Sequence, residues 1–390
     1  MKSLKLPIGI ICLLLFVTSC TKNDQFKPFE EENSNQQSIA KRAATGLDYG
    51  LYWFDGNGQS LSGFNHSTGQ VENVPSNYYS NHKPTIIHFH GWQPNSDERE
   101  SFQLTNSSLN VDVNTMEAWK AQGWNVGVFY WDQFANEAEV KDAEAKIWSA
   151  NGPRGMRYRK SDGSYANSSS LNVSVSQMAF EQVAAVLQNN SSGNFRLSGH
   201  SLGNQLALNV AHLLDENGHS QLVPKRIELL DPFWSKSAKS YLGDENGDGN
   251  DDWTGERCRW YGRELINNHN TAVTWYRSSA ILDLGIGDQN TSFESDVALV
   301  QLRLWYLNGF DIANKHVYVR HHYFWSMAFD PPVECTISWW QRKSTGKDGA
   351  SASTSDSRIR EMMGDRYLWD QVEGRYTVSP QDDWSERKSY

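Results

Sequence analysis

Short apolar runs alternate with amphipathic segments along most of the chain. The runs are rich in β-branched or aromatic residues and end at turn-forming residues, which is typical of buried strands. They are residues 47–54, 84–92, 123–131, 194–198, 223–232 and 271–276. The segments with helical periodicity are residues 116–122, 138–148, 176–189, 206–211 and 320–329. Strands that alternate with helices predict an α/β fold with a mainly parallel central sheet and helices on both faces.

Three stretches break this alternation. Residues 93–107 are polar and predict a loop, and residues 152–170 predict an inserted loop or hairpin, a candidate lid over a cleft. Residues 341–357 are rich in Ser, Gly and Lys and also predict a loop. Apolar residues beyond them are expected to pack back onto the domain, namely Tyr367, Leu368, Trp369 and Tyr376.

The start of the chain predicts a targeting segment. The apolar run at residues 6–17 is too short to span a bilayer as a mature helix, so residues 1–19 are interpreted as a secretory signal peptide. Cys20 follows small residues as in a bacterial lipobox, which implies lipidation and anchoring to a membrane of the cell envelope. The alternative is a plain signal peptide with an incidental cysteine. Residues 20–45 predict a flexible tether, and residues 46–390 a single domain with an extra C-terminal segment.

Composition narrows the classes of partner. The net charge of -10 gives no support to nucleic-acid binding, which requires a basic surface. Trp, Tyr and Phe contribute 16 residues each, which suits either clefts that handle lipid or sugar or a core of bulky side chains. Cys258 and Cys335 could pair in an oxidising compartment, but the sequence does not decide whether they meet.

The candidate chemistry centres on Gly199-His200-Ser201-Leu202-Gly203. This G-x-S-x-G motif lies between a predicted strand and a predicted helix, the context of a nucleophile elbow. A serine hydroxyl needs a general base and an acid that orients it, and in sheets of this kind they follow in the order Ser, Asp, His. Ser201, Asp231 and His316 satisfy that order, as do His321 and His322 in place of His316.

These residues resemble the lipase superfamily of α/β-hydrolases that contains the pancreatic and lipoprotein lipases and phospholipases A1. The resemblance rests on four places, which are the elbow motif, His90-Gly91-Trp92 after a β-branched strand, the strand at 125–131, and Leu230-Asp231-Pro232. It implies an α/β-hydrolase fold and catalysis without a cofactor. It also implies that the backbone amides of Trp92 and Leu202 form the oxyanion hole.

The resemblance favours His316 as the base. The family places its histidine shortly before an aromatic-rich helix that contains a serine, and Tyr323 and Ser326 lie at similar offsets after His316. Lys315 stands where the family usually has asparagine, which leaves His321 and His322 as alternatives.

An acidic loop predicts a structural calcium site. Oxygen side chains at alternate positions with a glycine at the turn match the first half of a calcium loop. The candidate ligands are Asp244, Asn246, Asp248, Asn250 and Asp252. The pattern departs from the full motif at its twelfth position, Gly255, and the alternative is a solvated acidic turn. The resembled lipases also carry calcium downstream of their acid strand.

These features predict a cell-envelope serine hydrolase of carboxylic esters, lipase-like or phospholipase-like, that works through an acyl-enzyme at Ser201. The first alternative is an esterase of acylated glycans. The second is a non-catalytic binding module that has kept the fold, for which a missing histidine would argue.

Overall fold

The computed structural model describes residues 46–66, 68–96, 98–282, 287–339, 341–364 and 366–389. The predicted signal peptide, Cys20 and the tether at 20–45 lie outside the described residues. In the described part of the chain, no helix has both the length and the apolar character needed to cross a membrane.

The described strands include those that the six apolar runs predict, together with shorter strands and with strands of the C-terminal segment. They are β1 (Gly50–Phe54), β2 (Ser60–Ser62), β3 (Phe64–Asn65), β4 (Gln70–Val71), β5 (Thr85–Phe89), β6 (Gln103–Asn106), β7 (Val111–Asn114), β8 (Asn125–Tyr130), β9 (Tyr158–Arg159), β10 (Tyr165–Ala166), β11 (Phe195–His200), β12 (Arg226–Leu230), β13 (Ala272–Arg277), β14 (Ala298–Gln301), β15 (Val333–Ser338), β16 (Gln341–Asp348), β17 (Tyr367–Glu373) and β18 (Trp384–Ser389).

The helices of the described residues include those that the five amphipathic segments predict, together with four that they do not. They are α1 (Glu117–Ala121), α2 (Asp132–Ala135), α3 (Val140–Trp148), α4 (Val175–Leu187), α5 (Gly203–Glu216), α6 (Thr254–His269), α7 (Thr291–Glu294), α8 (Ile312–Trp325) and α9 (Asp356–Met362). Helix α8 begins earlier than the sequence predicts, so that His316 lies inside it. Asp311 explains the early start, because its side chain caps the helix by accepting a hydrogen bond from the backbone N–H of Asn314.

Twelve of these strands form one sheet in the order β16-β15-β18-β17-β14-β13-β12-β11-β5-β8-β1-β2. From β8 to β17 every neighbouring pair is parallel, which confirms the predicted α/β-hydrolase fold. His200 is paired with Leu230 across β11 and β12. The residues that follow them, Ser201 and Asp231, therefore leave the sheet side by side at its carboxyl edge.

Each face of the sheet carries its own apolar layer. One layer packs helices α3 to α6 against the sheet through side chains such as Ile147, Val183 and Leu206. The other packs α1, α8 and α9 through side chains such as Trp119 and Phe324. Much of the tryptophan content serves these layers, since the fully buried indoles in the described part of the chain include those of Trp53, Trp119, Trp131, Trp234, Trp275 and Trp369.

Two loop predictions are wrong. Residues 341–348 form the edge strand β16, although they are almost wholly exposed. This strand is formed by backbone hydrogen bonds to β15. Because its side chains are exposed, the sequence shows none of the apolar alternation from which a strand is predicted. Within 93–107, residues 103–106 form β6 in the same way, paired with β7.

The segment after β16 returns to the sheet only in part. Tyr367, Leu368 and Trp369 pack back as predicted, since β17 pairs with β14. Tyr376, in contrast, is 70% exposed. The hairpin predicted at 152–170 is present as β9 and β10.

Candidate active site

Ser201 stands at the sharp turn between β11 and α5. Its φ angle of 55° lies in the left-handed region, which non-glycine residues rarely adopt, so the turn has the strain of a nucleophile elbow. The backbone N–H of Ser201 donates to the carbonyl oxygen of Leu230 over 3.1 Å, which attaches the turn to the end of β12. A Cβ on Gly203 would lie 2.7 Å from the carbonyl oxygen of His90. Only glycine therefore lets α5 approach the sheet this closely.

The loop after β5 lies directly against this serine. A Cβ on Gly91 would be 2.7 Å from the Cβ of Ser201. His90 shapes the loop, because its Nε2 accepts the backbone N–H of Trp131 over 3.0 Å and its Nδ1–H donates to the carbonyl oxygen of Gly91 over 2.9 Å. The indole of Trp131 donates in turn to the carbonyl oxygen of His90 over 2.8 Å. The backbone that leads to Trp92 is thus held in one conformation.

Two backbone amides beside Ser201 remain available to a ligand. Leu202 begins the elbow helix, where the first N–H groups have no acceptor within the helix. Within residues 46–389 as far as the structure describes them, neither the Leu202 N–H nor the Trp92 N–H donates a hydrogen bond. These are the two amides that the sequence predicts for an oxyanion hole.

Asp231 is held as an anion at the end of β12. Its Oδ1 accepts the backbone N–H of Ser278 over 2.9 Å and that of Ser279 over 3.3 Å, and the Ser279 hydroxyl donates to Oδ2. Burial alone would raise the pKa of this carboxyl, but the hydrogen bonds from His316, Ser279 and Ser278 hold it below its ordinary value. Asp231 is therefore a carboxylate that can accept a hydrogen bond from an imidazole N–H.

That imidazole belongs to His316. Its Nδ1 lies 2.7 Å from Oδ2 of Asp231, and because the carboxylate only accepts, Nδ1 carries the proton and Nε2 is left as the basic nitrogen. The His316 side chain is only 13% exposed. Its ring lies beside that of His200, the neighbour of Ser201, with the ring centroids 4.6 Å apart. Asp231 and His316, two of the three residues predicted for catalysis, are thus hydrogen-bonded to each other, and the His316 ring lies beside the chain neighbour of the third, Ser201.

The two alternative candidates for the base, and His88, have other partners. His321 is buried and its Nε2 accepts a hydrogen bond from the Arg320 guanidinium over 2.8 Å. His322 is paired with Asp383, 2.9 Å away. His88 bridges Ser198 and Glu100 beneath the elbow. None of these imidazoles contacts Asp231, so their roles are structural.

A buried ionic cluster supports the loop that contains Trp92, the candidate oxyanion loop. The Trp92 indole N–H donates to the carbonyl oxygen of Glu137 over 2.7 Å. The Glu137 carboxylate is buried between Lys146 at 2.6 Å and Arg157, whose Nε lies 2.8 Å away. Arg157 directly precedes β9, and Tyr165 of β10 donates to the carbonyl oxygen of Asn136 over 3.0 Å. The 152–170 hairpin is thereby attached to the segment that holds Trp92.

A second buried carboxylate joins the elbow helix to the segment after Asp231. Glu144 of α3 is fully buried and accepts hydrogen bonds from Gln205 (2.7 Å), from the Ser235 backbone (3.0 Å) and hydroxyl, and from Thr254 (2.8 Å). Gln205 also donates to the carbonyl oxygen of Phe233 over 2.8 Å. Four donors replace the hydration that burial removes from this anion.

Sequence reasoning did not find these supporting residues. One signal is in α3, where Asp142, Glu144 and Lys146 alternate with apolar residues and all three are buried. A charged residue at a buried helical position normally has a specific partner. The identity of each partner depends on segments that are distant in sequence.

The predicted calcium loop bonds mainly to itself. Asp244 and Asn246 accept backbone N–H groups of the loop, and Asp248 accepts that of Asn250. The Asp252 carboxylate is engaged by Arg257. Among the residues that the structure describes, no three His, Cys, Asp or Glu side chains converge as metal ligands do. The calcium site therefore stays a prediction.

The two cysteines of the described domain do not pair. Cys258 and Cys335 are both buried free thiols. Burial raises the pKa of the Cys258 thiol well above its usual value, which keeps it protonated and unreactive.

Comparison with known families gives one match. The model of the thioesterase domain family matches residues 154–245, a range that contains Ser201 and Asp231 but not His316. A search of curated proteins gave no match. The finer resemblance to pancreatic-type lipases stays a prediction.

Solved structures with similar folds are distant. TT1662 from Thermus thermophilus is 14% identical, with 54% of this chain and 73% of that chain covered and a TM-score of 0.27. EstE1, a carboxylesterase from a metagenomic library, is 12% identical, with 50% and 59% covered and a TM-score of 0.23. The thioesterase domain of the curacin biosynthetic pathway is 16% identical, with 41% of each chain covered and a TM-score of 0.21.

Proposed function

We propose that this protein is a serine hydrolase that cleaves carboxylic esters through an acyl-enzyme on Ser201. The observation that carries the proposal is the 2.7 Å contact of His316 Nδ1 with Asp231 Oδ2, at the sheet edge where Ser201 occupies a strained elbow. A binding module that had lost catalysis would have no need to keep a buried carboxylate and imidazole paired in this way. We therefore prefer an enzyme to the non-catalytic alternative.

In the acylation step, Ser201 Oγ attacks the ester carbonyl carbon while Nε2 of His316 takes the hydroxyl proton. Asp231 stabilises the imidazolium that forms, because its carboxylate already holds Nδ1–H. The substrate oxygen becomes negatively charged and accepts the N–H groups of Leu202 and Trp92, each contributing about 3 kcal/mol of transition-state stabilisation. The carbon–oxygen bond to the alcohol then breaks, and His316 returns the proton to that alcohol.

In the deacylation step, water replaces the alcohol. His316 removes a proton from the water as its oxygen attacks the acyl carbon, and Ser201 Oγ leaves as the proton is returned to it. The carboxylic acid is the second product. Neither step requires a cofactor.

A covalent serine probe tests the proposal. A fluorophosphonate should label the wild-type protein and spare Ser201→Ala, with loss of ester hydrolysis in the same variant. Ser198→Ala is the matched control, since Ser198 belongs to the same motif region but bonds to His88. Equal labelling of wild type and Ser201→Ala would overturn the proposal.

Three substrate classes compete within this chemistry. Lipid or phospholipid esters follow from the resemblance to lipases, with acylated glycans as the alternative. Thioesters are a third candidate, favoured by the thioesterase-domain match over residues 154–245. Initial rates on glycerides of increasing chain length, an acetylated sugar and an acyl thioester would rank these classes by kcat/KM.

We further propose that the protein is lipid-anchored through Cys20 to a membrane of the cell envelope. The support is the apolar run at residues 6–17 followed by small residues and the cysteine. Metabolic labelling with an alkyne fatty acid should tag the wild type and leave Cys20→Ser unlabelled. Equal labelling would show that the cysteine is incidental.

A further inference from the structure

His200, the second residue of the elbow motif, joins the candidate nucleophile to the candidate base. Its Nε2 lies 2.7 Å from the backbone carbonyl oxygen of His316. The residue is buried, with 6% of its surface exposed, and its ring contacts that of His316. A side chain adjacent to Ser201 is thus bonded to the backbone of the residue that would deprotonate Ser201.

The geometry determines which nitrogen of His200 carries a proton. A carbonyl oxygen only accepts hydrogen bonds, so Nε2 must be the donor. Nδ1 is shielded from solvent and has no partner among the described residues, so a proton there would be a buried unsatisfied donor. The ring is therefore neutral. Burial, together with His316 and Arg320 nearby, lowers the pKa of His200 to about 3, and Glu100 opposes this only in part.

The start of α8 is held from two directions. On the side of the acid, Ser278 donates its backbone N–H to Asp231 over 2.9 Å and its hydroxyl to the carbonyl oxygen of Lys315 over 2.9 Å. On the side of the nucleophile, His200 donates to the next carbonyl, that of His316. Two consecutive carbonyls of the helix thus receive donors from two strand ends, that of β13, where Ser278 also bonds to Asp231, and that of β11, which presents Ser201.

This double attachment matters because proton transfer depends steeply on distance. A displacement of about 1 Å can cost about a hundredfold in rate. The bond from Asp231 to Nδ1 orients the His316 ring, but it does not determine how far the backbone of α8 stands from the elbow. The hydrogen bond from His200 supplies that second constraint.

We propose that His200 is a positioning residue that holds the backbone of His316 at the working distance from Ser201. The inference rests on the proposed function. It assigns to the first x position of the G-x-S-x-G motif a role that the motif itself does not reveal.

A pair of amide variants tests the proposal. The side-chain nitrogen of glutamine lies close to the position of Nε2, whereas that of asparagine lies close to Nδ1, so only His200→Gln keeps a donor for the His316 carbonyl. We expect His200→Asn to lower kcat on a short soluble ester about tenfold, the equivalent of one hydrogen bond, with KM nearly unchanged. His200→Gln should stay within about threefold of wild type. Fluorophosphonate labelling rates should follow the same order.

A result in which the two variants lose kcat equally, or not at all, would overturn the proposal. Melting temperatures of both variants separate a positioning effect from a loss of fold, since a purely structural role predicts equal destabilisation and no rescue by glutamine. If His200→Asn does not fold, ¹⁵N NMR of the wild-type imidazoles still decides, because the proposal requires a neutral Nε2–H tautomer at pH 5 to 9. An Nδ1–H tautomer would contradict it.

The failure of the proposed function would look different. Full activity of Ser201→Ala would remove the reaction that His200 is meant to assist. Loss of activity in Ser201→Ala, combined with wild-type kinetics in both His200 variants, would overturn this inference alone.

Discussion

The indole N–H of Trp92 donates a 2.7 Å hydrogen bond to the backbone carbonyl oxygen of Glu137. The side chain of Trp92, a residue of the candidate oxyanion loop, thereby anchors its own backbone to the segment after α2. That segment is itself held by the buried contacts of the Glu137 carboxylate with Lys146 and Arg157. The backbone of the candidate loop is thus supported by an ionic cluster.

Replacing Trp92 by phenylalanine should weaken transition-state binding. Phe keeps an aromatic ring but removes the donor, so the Trp92 amide loses one constraint on its direction. We expect kcat/KM to fall about tenfold, since an oxyanion donor contributes about 3 kcal/mol and only part of that would be lost. The inhibition constant of a trifluoromethyl ketone should rise by the same factor.

Trp305→Phe is the matched control for this experiment. Trp305 lies after β14 at the carboxyl edge, is 42% exposed and lies under the Arg375 guanidinium. Its substitution should leave both constants unchanged. An equal effect of the two substitutions would show that Trp92 has no special role.

Single substitutions should identify His316 as the base. His316→Ala should lower kcat at least about a hundredfold, because it removes general base catalysis. His321→Ala and His322→Ala should act mainly on stability, because their partners are Arg320 and Asp383. Steady-state rates beside melting temperatures separate the two effects. Loss of turnover in a stable His322 variant would contradict the assignment.

Lys146 should make stability depend on alkaline pH. Burial lowers its pKa to about 8, although Glu137 opposes part of that shift. Between that value and the unfolded pKa of about 10.4, the folded amine is neutral while the unfolded amine is protonated, so the unfolded state binds more protons and stability rises with pH. Below pH 8 the Lys146 amine is protonated in both the folded and the unfolded state, so the folded state bears the full free-energy cost of the buried charge.

Urea denaturation of wild type and Lys146→Met at pH 7 and pH 10.5 measures this contribution. The free energy of unfolding of wild type relative to the variant should increase by up to about 3 kcal/mol over that range. The control Lys225→Met removes an exposed lysine. The free energy of unfolding of wild type relative to this variant should be the same at both pH values. If the relative free energy of unfolding is also independent of pH for Lys146→Met, the lowered pKa of Lys146 is contradicted.

Calcium binding, if present, should stabilise the fold. A chelator should then lower Tm, by roughly 2–4 °C for each kcal/mol of binding free energy, and Asp248→Ala should remove the effect. Asp162→Ala, in the exposed turn between β9 and β10, is the control. A Tm that is the same with calcium and with chelator would show a self-bonded acidic turn, as the hydrogen bonds of Asp244 and Asn246 suggest.

The sequence alone was sufficient for features that are encoded locally. The strands around Ser201 and Asp231, the elbow between Gly199 and Gly203, and the parallel α/β order follow from hydrophobic periodicity and turn-forming residues. These properties depend on neighbours a few positions apart. The edge strand β16 escaped prediction because its pairing is made by the backbone, which leaves no pattern in the side chains.

Only the tertiary structure decided how distant segments meet. Three histidines satisfied the required chain order, and the packing of α8 on the sheet selected His316, which lies 85 residues from Asp231 in the sequence. The same packing put His200 under the His316 carbonyl, and the position of α3 joined Glu144 to the segment after Asp231. Hydrogen bonds of this kind form only within a narrow range of donor–acceptor distances, and hydrophobic periodicity carries no information about distances between elements. The elbow could therefore be predicted from its motif, whereas the residues that hold its partners in place could not.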